Sequence, residues 1–78
     1  MKSFQVLGSG CRNCVKTAEQ IEQKAAELGI EAKVEKVTDM ADILGYGVMS
    51  TPGVVLNGQV VHAGGVPNVS LIISWLRE

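Results

Sequence analysis

The stretch TPGVVLNGQVVHA, residues 51–63, decides the fold because it contains the clearest turn signal of the chain. Two runs of β-forming residues, at about 53–56 and 59–63, flank the pair Asn57-Gly58. Such a pair is the strongest short-range hairpin signal, since both central positions of a type I′ turn need a positive φ. The sequence therefore predicts two antiparallel strands joined by a tight turn.

Four elements are predicted before this hairpin. Residues 3–7 read SFQVL and stop at a glycine, which is typical of a buried strand. Residues 12–28 form an amphipathic helix, because apolar residues recur there at intervals of three and four: Val15, Ala18, Ile21, Ala25 and Leu28. Residues 30–37 alternate with a period of two and carry charges on much of one face, which predicts a strand at a sheet edge. Thr38 and Asp39 then start a helix of about two turns.

The last element after the hairpin is a predicted helix. Pro67 and Asn68 lead into a run whose apolar residues line one helical face: Val69, Ile72, Ile73 and Leu76. Trp75 widens this face, and we expect it to anchor the helix in the core. The predicted order is β-α-β-α-β-β-α, and the 78 residues suit a single domain that spans 1–78.

The overall composition argues against several classes of function. Hydrophobic residues make up 46% of the chain and charged residues 19%, and the net charge of −1 provides no basic surface for nucleic acid. The N-terminal MKSFQVLGSG is interrupted by polar residues and glycines before a secretory signal can form. The apolar cluster near residues 69–76 is shorter than the ~20 residues that a membrane helix needs. We therefore expect a cytoplasmic protein that binds neither nucleic acid nor a membrane.

A pair of cysteines at the start of the first helix is the candidate site. Cys11 and Cys14 enclose Arg12 and Asn13, and the preceding Gly8-Ser9-Gly10, which includes Gly10 directly before Cys11, makes a tight approach with few side chains. Two cysteines this close do not cross-link distant parts of a fold. In a reducing compartment they therefore indicate redox chemistry or metal binding. Arg12 and Asn13, between the two sulfurs, are expected to influence the reduction potential of the pair.

The position of the pair predicts unequal roles for the two sulfurs. The free N–H groups of the first helical turn favour a thiolate on Cys11. If the pKa of Cys11 falls from about 8.5 to about 7, its ionised fraction at pH 7 rises from roughly 3% to roughly half. Cys14 lies on the side of Ala18 and Ile21, so we expect it to be more buried. It would stay a thiol until it attacks a mixed disulfide on Cys11.

The first half of the chain also allows a second interpretation. The pattern F-x-V-x-G-x-x-C-x-x-C, from Phe4 to Cys14, resembles the heavy-metal-associated domains that carry copper(I), and thiolates select soft ions. That family usually has methionine where this chain has Ser9, and its order of elements is β-α-β-β-α-β. A third interpretation is a regulatory module whose thiols only sense oxidation.

The second half resembles a different family and extends the likeness to the whole chain. Thr51-Pro52-Gly53, directly before the hairpin, is similar to the cis-proline loop of the thioredoxin and glutaredoxin family, most closely its small redox-active disulfide proteins. This resemblance implies a compact thioredoxin-like α/β fold with a four-stranded mixed sheet and three helices. It also implies that Pro52 follows a cis peptide beside Cys11, and that the backbone of Thr51 pairs with an incoming peptide or thiol.

The same resemblance implies a thiol-disulfide oxidoreductase with no bound cofactor or metal, which works through a redox-active disulfide between Cys11 and Cys14. Its partners would be a protein or small-molecule disulfide substrate and a reductant, such as a flavoprotein like thioredoxin reductase. Two features depart from the family pattern. Thioredoxins usually have a tryptophan before the CxxC and a buried acid behind the second cysteine, and SFQVL contains no acid.

The pair Gly64-Gly65 and His62 are further candidates for this site. Gly64-Gly65 is similar to the glutathione-holding loop of glutaredoxins, but Val66, Pro67 and Asn68 replace the acids that often follow it, which argues against glutathione as a bound cosubstrate. His62 is the single histidine of the chain. We expect it at the surface or rim and not as a base or as a third ligand to the cysteines.

Overall fold

The computed structural model describes residues 2–8 and 12–78. The elements follow the predicted order β-α-β-α-β-β-α: β1 (Lys2–Leu7), α1 (Arg12–Leu28), β2 (Ala32–Val37), α2 (Met40–Gly45), β3 (Gly53–Leu56), β4 (Gln59–Ala63) and α3 (Val69–Arg77). Within these residues, no helix combines the length and the apolar character that crossing a bilayer requires.

The second strand begins two residues later than predicted, at Ala32. The two N–H groups that follow α1 bond back to the helix: Gly29 N–H donates to the Ala26 carbonyl (3.2 Å) and Ile30 N–H to the Ala25 carbonyl (2.9 Å). This pair of bonds closes the end of a helix by satisfying carbonyls of its last turn. Ile30 is therefore part of the helix terminus and does not join the sheet.

The four strands form one mixed sheet in the order β2-β1-β3-β4. β1 pairs in parallel with β2 and antiparallel with β3, and β3 pairs antiparallel with β4. The prediction of an edge position for β2 is confirmed. Asn57 and Gly58 have φ values of 50° and 87°, as the predicted type I′ turn requires. The turn is also fastened to β1, because the Ser3 N–H donates to Asn57 Oδ1 at 3.1 Å.

Apolar side chains cover both faces of the sheet. On the α1/α3 face, α1 and α3 pack against β1 and β3 in one cluster: Phe4, Val6, Cys14, Ala18, Ile21, Ala25, Val54, Leu56, Ile72, Trp75 and Leu76. On the α2 face, a smaller cluster joins α2 and the loop after it to the sheet: Leu7, Ile43, Val48 and Val55. Trp75 is 6% exposed, so its predicted role as a core anchor is confirmed.

A register shift interrupts β4. Val55 pairs with Val60 while its neighbour Val54 pairs with His62, so Val61 has no opposite residue. Such a β-bulge breaks the alternation of faces along a strand. His62, opposite Val54, and Val60, opposite Val55, therefore lie on different faces of the sheet. The His62 ring is half-buried at the rim, 6.0 Å from the Trp75 ring centroid, with Nε2 at 3.0 Å from the Gly65 carbonyl oxygen.

Candidate active site

Cys14 lies in the first turn of α1, on the helix face that packs on the sheet. Its side chain is 5% exposed and belongs to the cluster of the α1/α3 face, as predicted from its spacing to Ala18 and Ile21. Its sulfur is in a disulfide bond. Gly10 and Cys11 lie outside the described residues, so the roles assigned to them from the sequence stay predictions.

Gly8 brings the end of β1 against the Cys14 sulfur. A Cβ atom on Gly8 would overlap Cys14 Sγ and would lie 3.0 Å from Cys14 Cβ and 3.7 Å from Thr51 Cβ. Gly8 is buried, and its N–H donates to the Val37 carbonyl at 2.9 Å, which fixes it beside β2. Glycine is therefore required here by the close approach of three segments: the end of β1, the first turn of α1 and the loop before β3. The sequence predicts that the strand ends at Gly8 and that few side chains precede Cys11, but it does not predict the contact of Gly8 with Cys14.

The loop before β3 presents Thr51 next to this junction. Thr51 is exposed, Pro52 is buried, and the peptide bond between them is cis. The Pro52 carbonyl accepts a hydrogen bond from the Gly64 N–H at 3.0 Å, so the loop is attached to the turn that follows β4. The structure thus brings Thr51 close to Gly8 and Cys14.

Arg12 and Asn13, the predicted supporting residues, are both exposed at the start of α1. The Asn13 backbone carbonyl accepts a hydrogen bond from Thr17 Oγ1 at 2.7 Å. Thr17 is completely buried, one turn along the helix from Cys14. Sequence reasoning missed Thr17, and the available signal was a hydroxyl residue within an otherwise apolar helix face.

A small cavity of about 20 Å³ adjoins Cys14 and is lined by Val6, Gly8, Cys14, Val15, Lys36 and Thr38. None of these described lining residues is acidic. Gln5, which occupies the strand where an acid is missing, accepts a hydrogen bond from the Tyr46 hydroxyl at 2.7 Å, and Tyr46 follows α2 directly. The absence of an acid from SFQVL therefore extends to the lining of this cavity.

A larger cavity of about 440 Å³ lies beside α2 and is lined by Gln5, Val37, Ala41, Asp42, Gly45 and Tyr46. It contains none of the residues predicted for the site. Its size alone does not identify a function, whereas the smaller cavity borders a sulfur atom that can carry out chemistry. We therefore place the candidate active site at Cys14, Gly8 and Thr51.

Comparison with known proteins identifies the family of the chain. A family model described as a thioredoxin domain matches residues 2–77. The chain belongs to the thioredoxin family. It is 38% identical over 78 residues to a thioredoxin of Methanocaldococcus jannaschii, covering 100% of this chain and 90% of that protein. It is 35% identical over 66 residues to a thioredoxin of Methanothermobacter thermautotrophicus, covering 85% of this chain and 86% of that protein.

Membership in the thioredoxin family confirms the expected fold class, a thioredoxin-like α/β fold with a four-stranded mixed sheet and three helices. It also supports a thioredoxin-like redox function. The copper-carrying domains that the first half resembles end in a strand, whereas this chain places α3 after the β3–β4 hairpin. The fold thus matches the family indicated by the second half of the sequence.

Proposed function

We propose that the protein is a thiol-disulfide oxidoreductase in which Cys11 is the nucleophile and Cys14 the resolving thiol. The observation that carries the proposal is the position of Cys14. A disulfide-bonded, buried sulfur lies in the first turn of a helix, against the backbone of Gly8 and next to the exposed Thr51. Such a site combines a sulfur that is protected from solvent with a surface on which a partner can dock.

The proposed reaction moves two electrons from the dithiol to the target. The Cys11 thiolate attacks one sulfur of the target disulfide, which forms a mixed disulfide and releases the other target sulfur as a thiolate that takes up a proton. Cys14 then loses its proton to solvent and attacks the Cys11 sulfur. The second target thiol leaves, and a Cys11–Cys14 disulfide remains.

The remaining predicted groups serve binding and tuning in this proposal. The backbone of Thr51 pairs with the substrate beside Pro52, while Gly10, Arg12 and Asn13 shape the approach to the cysteines. The substrate is a protein or small-molecule disulfide, and a reductant such as a flavoprotein like thioredoxin reductase returns two electrons and two protons to the pair. The exchange needs no bound cofactor, and we propose that it takes place in the cytoplasm.

The deciding experiment measures the reduction potential of the pair. The metal-free protein is equilibrated in graded thiol-disulfide buffers, and alkylated thiols are counted by mass. We expect one reversible two-electron transition, with a midpoint of about −270 mV for a reductant or about −120 mV for an oxidant. If no intramolecular disulfide forms reversibly, the proposal is wrong. Tight copper(I) binding by the same sample would then favour a metal carrier, and slow exchange with every reductant would favour a redox sensor.

Trapping separates the roles of the two cysteines. Cys14→Ser cannot resolve a mixed disulfide, so it should accumulate covalent adducts with disulfide substrates through Cys11. Cys11→Ser is the matched control and should accumulate few. Mass spectrometry of samples quenched with acid gives the adduct yield. A higher yield from Cys11→Ser would reverse the two roles.

A further inference from the structure

Thr17 is the one polar residue in the buried core of the described chain. Its side chain is completely buried, and Oγ1 donates a hydrogen bond to the Asn13 carbonyl at 2.7 Å. In an α-helix the same carbonyl also accepts the backbone N–H of the residue four positions later, which is Thr17 itself. The Asn13 carbonyl therefore accepts bonds from both the backbone and the side chain of Thr17.

Packing alone does not account for a hydroxyl at this position. Valine has almost the same shape as threonine and would fill the same space next to Cys14 and Ala18. Burying a hydroxyl instead costs free energy unless it is hydrogen-bonded, and the single bond to Asn13 offsets that cost. A role for the hydroxyl should therefore be sought in the group that it contacts.

That group is part of the candidate site. The Asn13 carbonyl and the Cys14 N–H belong to the same peptide unit. Cys14 is the third residue of α1, so its N–H points toward the N-terminal end of the helix, where Cys11 precedes α1 in the sequence. A hydrogen bond to the carbonyl polarises the peptide unit and makes its N–H a stronger donor.

We propose that Thr17 is a positioning residue that acts through the Asn13–Cys14 peptide unit to stabilise the thiolate of the reduced cysteine pair. This inference rests on the proposed function, in which that thiolate is on Cys11. The hydroxyl acts through its bond to the Asn13 carbonyl. Its effect is on the strength with which the first turn of α1 attracts negative charge.

The expected size of the effect follows from one added bond in a short chain of hydrogen bonds. Polarisation of this kind strengthens a neighbouring bond by about 10–30%, and hydrogen bonds to charged groups are about twice as strong as neutral ones. We therefore expect removal of the hydroxyl to lower the ratio of thiolate to thiol by about twofold.

Two matched pairs of variants isolate the hydroxyl. Thr17→Val replaces it with a methyl group in the wild-type shape. Thr17→Ser keeps the hydroxyl without the methyl group, and Thr17→Ala removes both, so that Ser and Ala differ in the hydroxyl alone. The first readout is the alkylation rate of Cys11 against pH, measured with Cys14→Ser so that one thiol remains. The second is the equilibrium with a thiol-disulfide buffer, measured with both cysteines present.

Loss of the hydroxyl should slow alkylation by up to about twofold, with the largest effect below the pKa of Cys11, and should move the pH profile to higher pH. This holds for Thr17→Val compared with wild type and for Thr17→Ala compared with Thr17→Ser. The buffer equilibrium should move toward the disulfide by up to about twofold, with the largest shift above the pKa of Cys11, because the thiolate of the reduced form loses stabilisation. Thr17→Ser should retain the wild-type pH profile of alkylation. Unchanged pH profiles in either pair of folded variants would overturn the inference. A profile of Thr17→Ser that matches that of Thr17→Val would also overturn it.

If Thr17→Val fails to fold, the comparison of Ser with Ala decides the question. The outcome for Thr17 is also separable from the outcome for the proposed function. If the wild-type protein shows a reversible couple and the Thr17 variants behave like the wild type, only the inference about Thr17 is wrong. If the wild-type protein shows no such couple, the proposed function itself is wrong.

Discussion

Among the described residues, the α1/α3 face of the sheet buries eleven side chains in one cluster, whereas the α2 face buries four. On the α2 face, Met40 and Leu44 remain 57% exposed although they belong to the helix that covers it. The Cys14 sulfur is part of the larger cluster, while the loop that presents Thr51 follows Val48 of the smaller one. The candidate site therefore joins a densely packed side of the molecule to a thinly packed one.

The largest expected difference between the two faces concerns one isoleucine on each. Ile72 on the α1/α3 face and Ile43 on the α2 face are 0% and 1% exposed. Truncation of such a side chain to alanine costs about 2–5 kcal/mol, depending on how well the site collapses. We expect about 4 kcal/mol for Ile72→Ala and about 2 kcal/mol for Ile43→Ala, measured by urea unfolding. Equal losses of unfolding free energy in the two variants would show that the two clusters are equally rigid.

A second comparison tests whether the Cys14 junction tolerates added volume. Gly8→Ala places a methyl group on the Cys14 sulfur, and such overpacking costs about 1–3 kcal/mol. Because it also displaces the sulfur, we expect the rate of disulfide reduction to fall at least about tenfold. Gly45→Ala at the end of α2 is the matched control, since nothing lies within 4 Å of its Cβ position, and it should leave the rate unchanged.

Unfolding in urea and a turnover assay with a model disulfide give both quantities for each glycine variant. Wild-type turnover by Gly8→Ala would show that Cys14 can move away from β1 without loss of activity. The Cys14 sulfur would then not depend on the close approach to Gly8 that the structure shows.

The smallest expected difference concerns the helix caps. Asn68 Oδ1 accepts the Leu71 N–H at 2.9 Å at the start of α3, and Asp39 Oδ1 accepts the Ala41 N–H at 2.8 Å at the start of α2. Removal of a cap costs about 0.5–2 kcal/mol. Asn68→Ala should cost about 1 kcal/mol, and Asp39→Ala about half as much, because α2 buries a single described residue and can fray without disturbing the core. Thermal unfolding of the two variants tests this order.

Local signals in the sequence were sufficient for the element order. The Asn57-Gly58 turn and the three-and-four spacing of α1 each depend on neighbours along the chain, so they can be recognised without knowledge of the tertiary structure. Ile30 was misplaced because alternation does not show that its N–H bonds back to α1. The bulge at Val61 was missed for a similar reason, since a register shift depends on the partner strand.

The site was less predictable than the fold. The spacing of Cys14 indicated its burial, and Thr51-Pro52 was recognised through its resemblance to a family loop. The role of Gly8 could not be predicted, because the requirement for glycine comes from a side chain on another element that touches its backbone. The hydrogen bond of Thr17 depends on side-chain direction within the helix, which the residue type alone does not give.

The central place of β1 in the sheet has a consequence for how the chain folds during synthesis. β1 and β2 are made early, but the other side of β1 pairs with β3, whose residues follow some 50 positions later, as in the register Phe4 with Leu56. Until that segment leaves the ribosome, the nascent β1 exposes an unpaired edge of the kind that promotes aggregation. A fragment that ends before Gly53 should therefore associate with other copies instead of folding, and the final third of the chain completes the sheet.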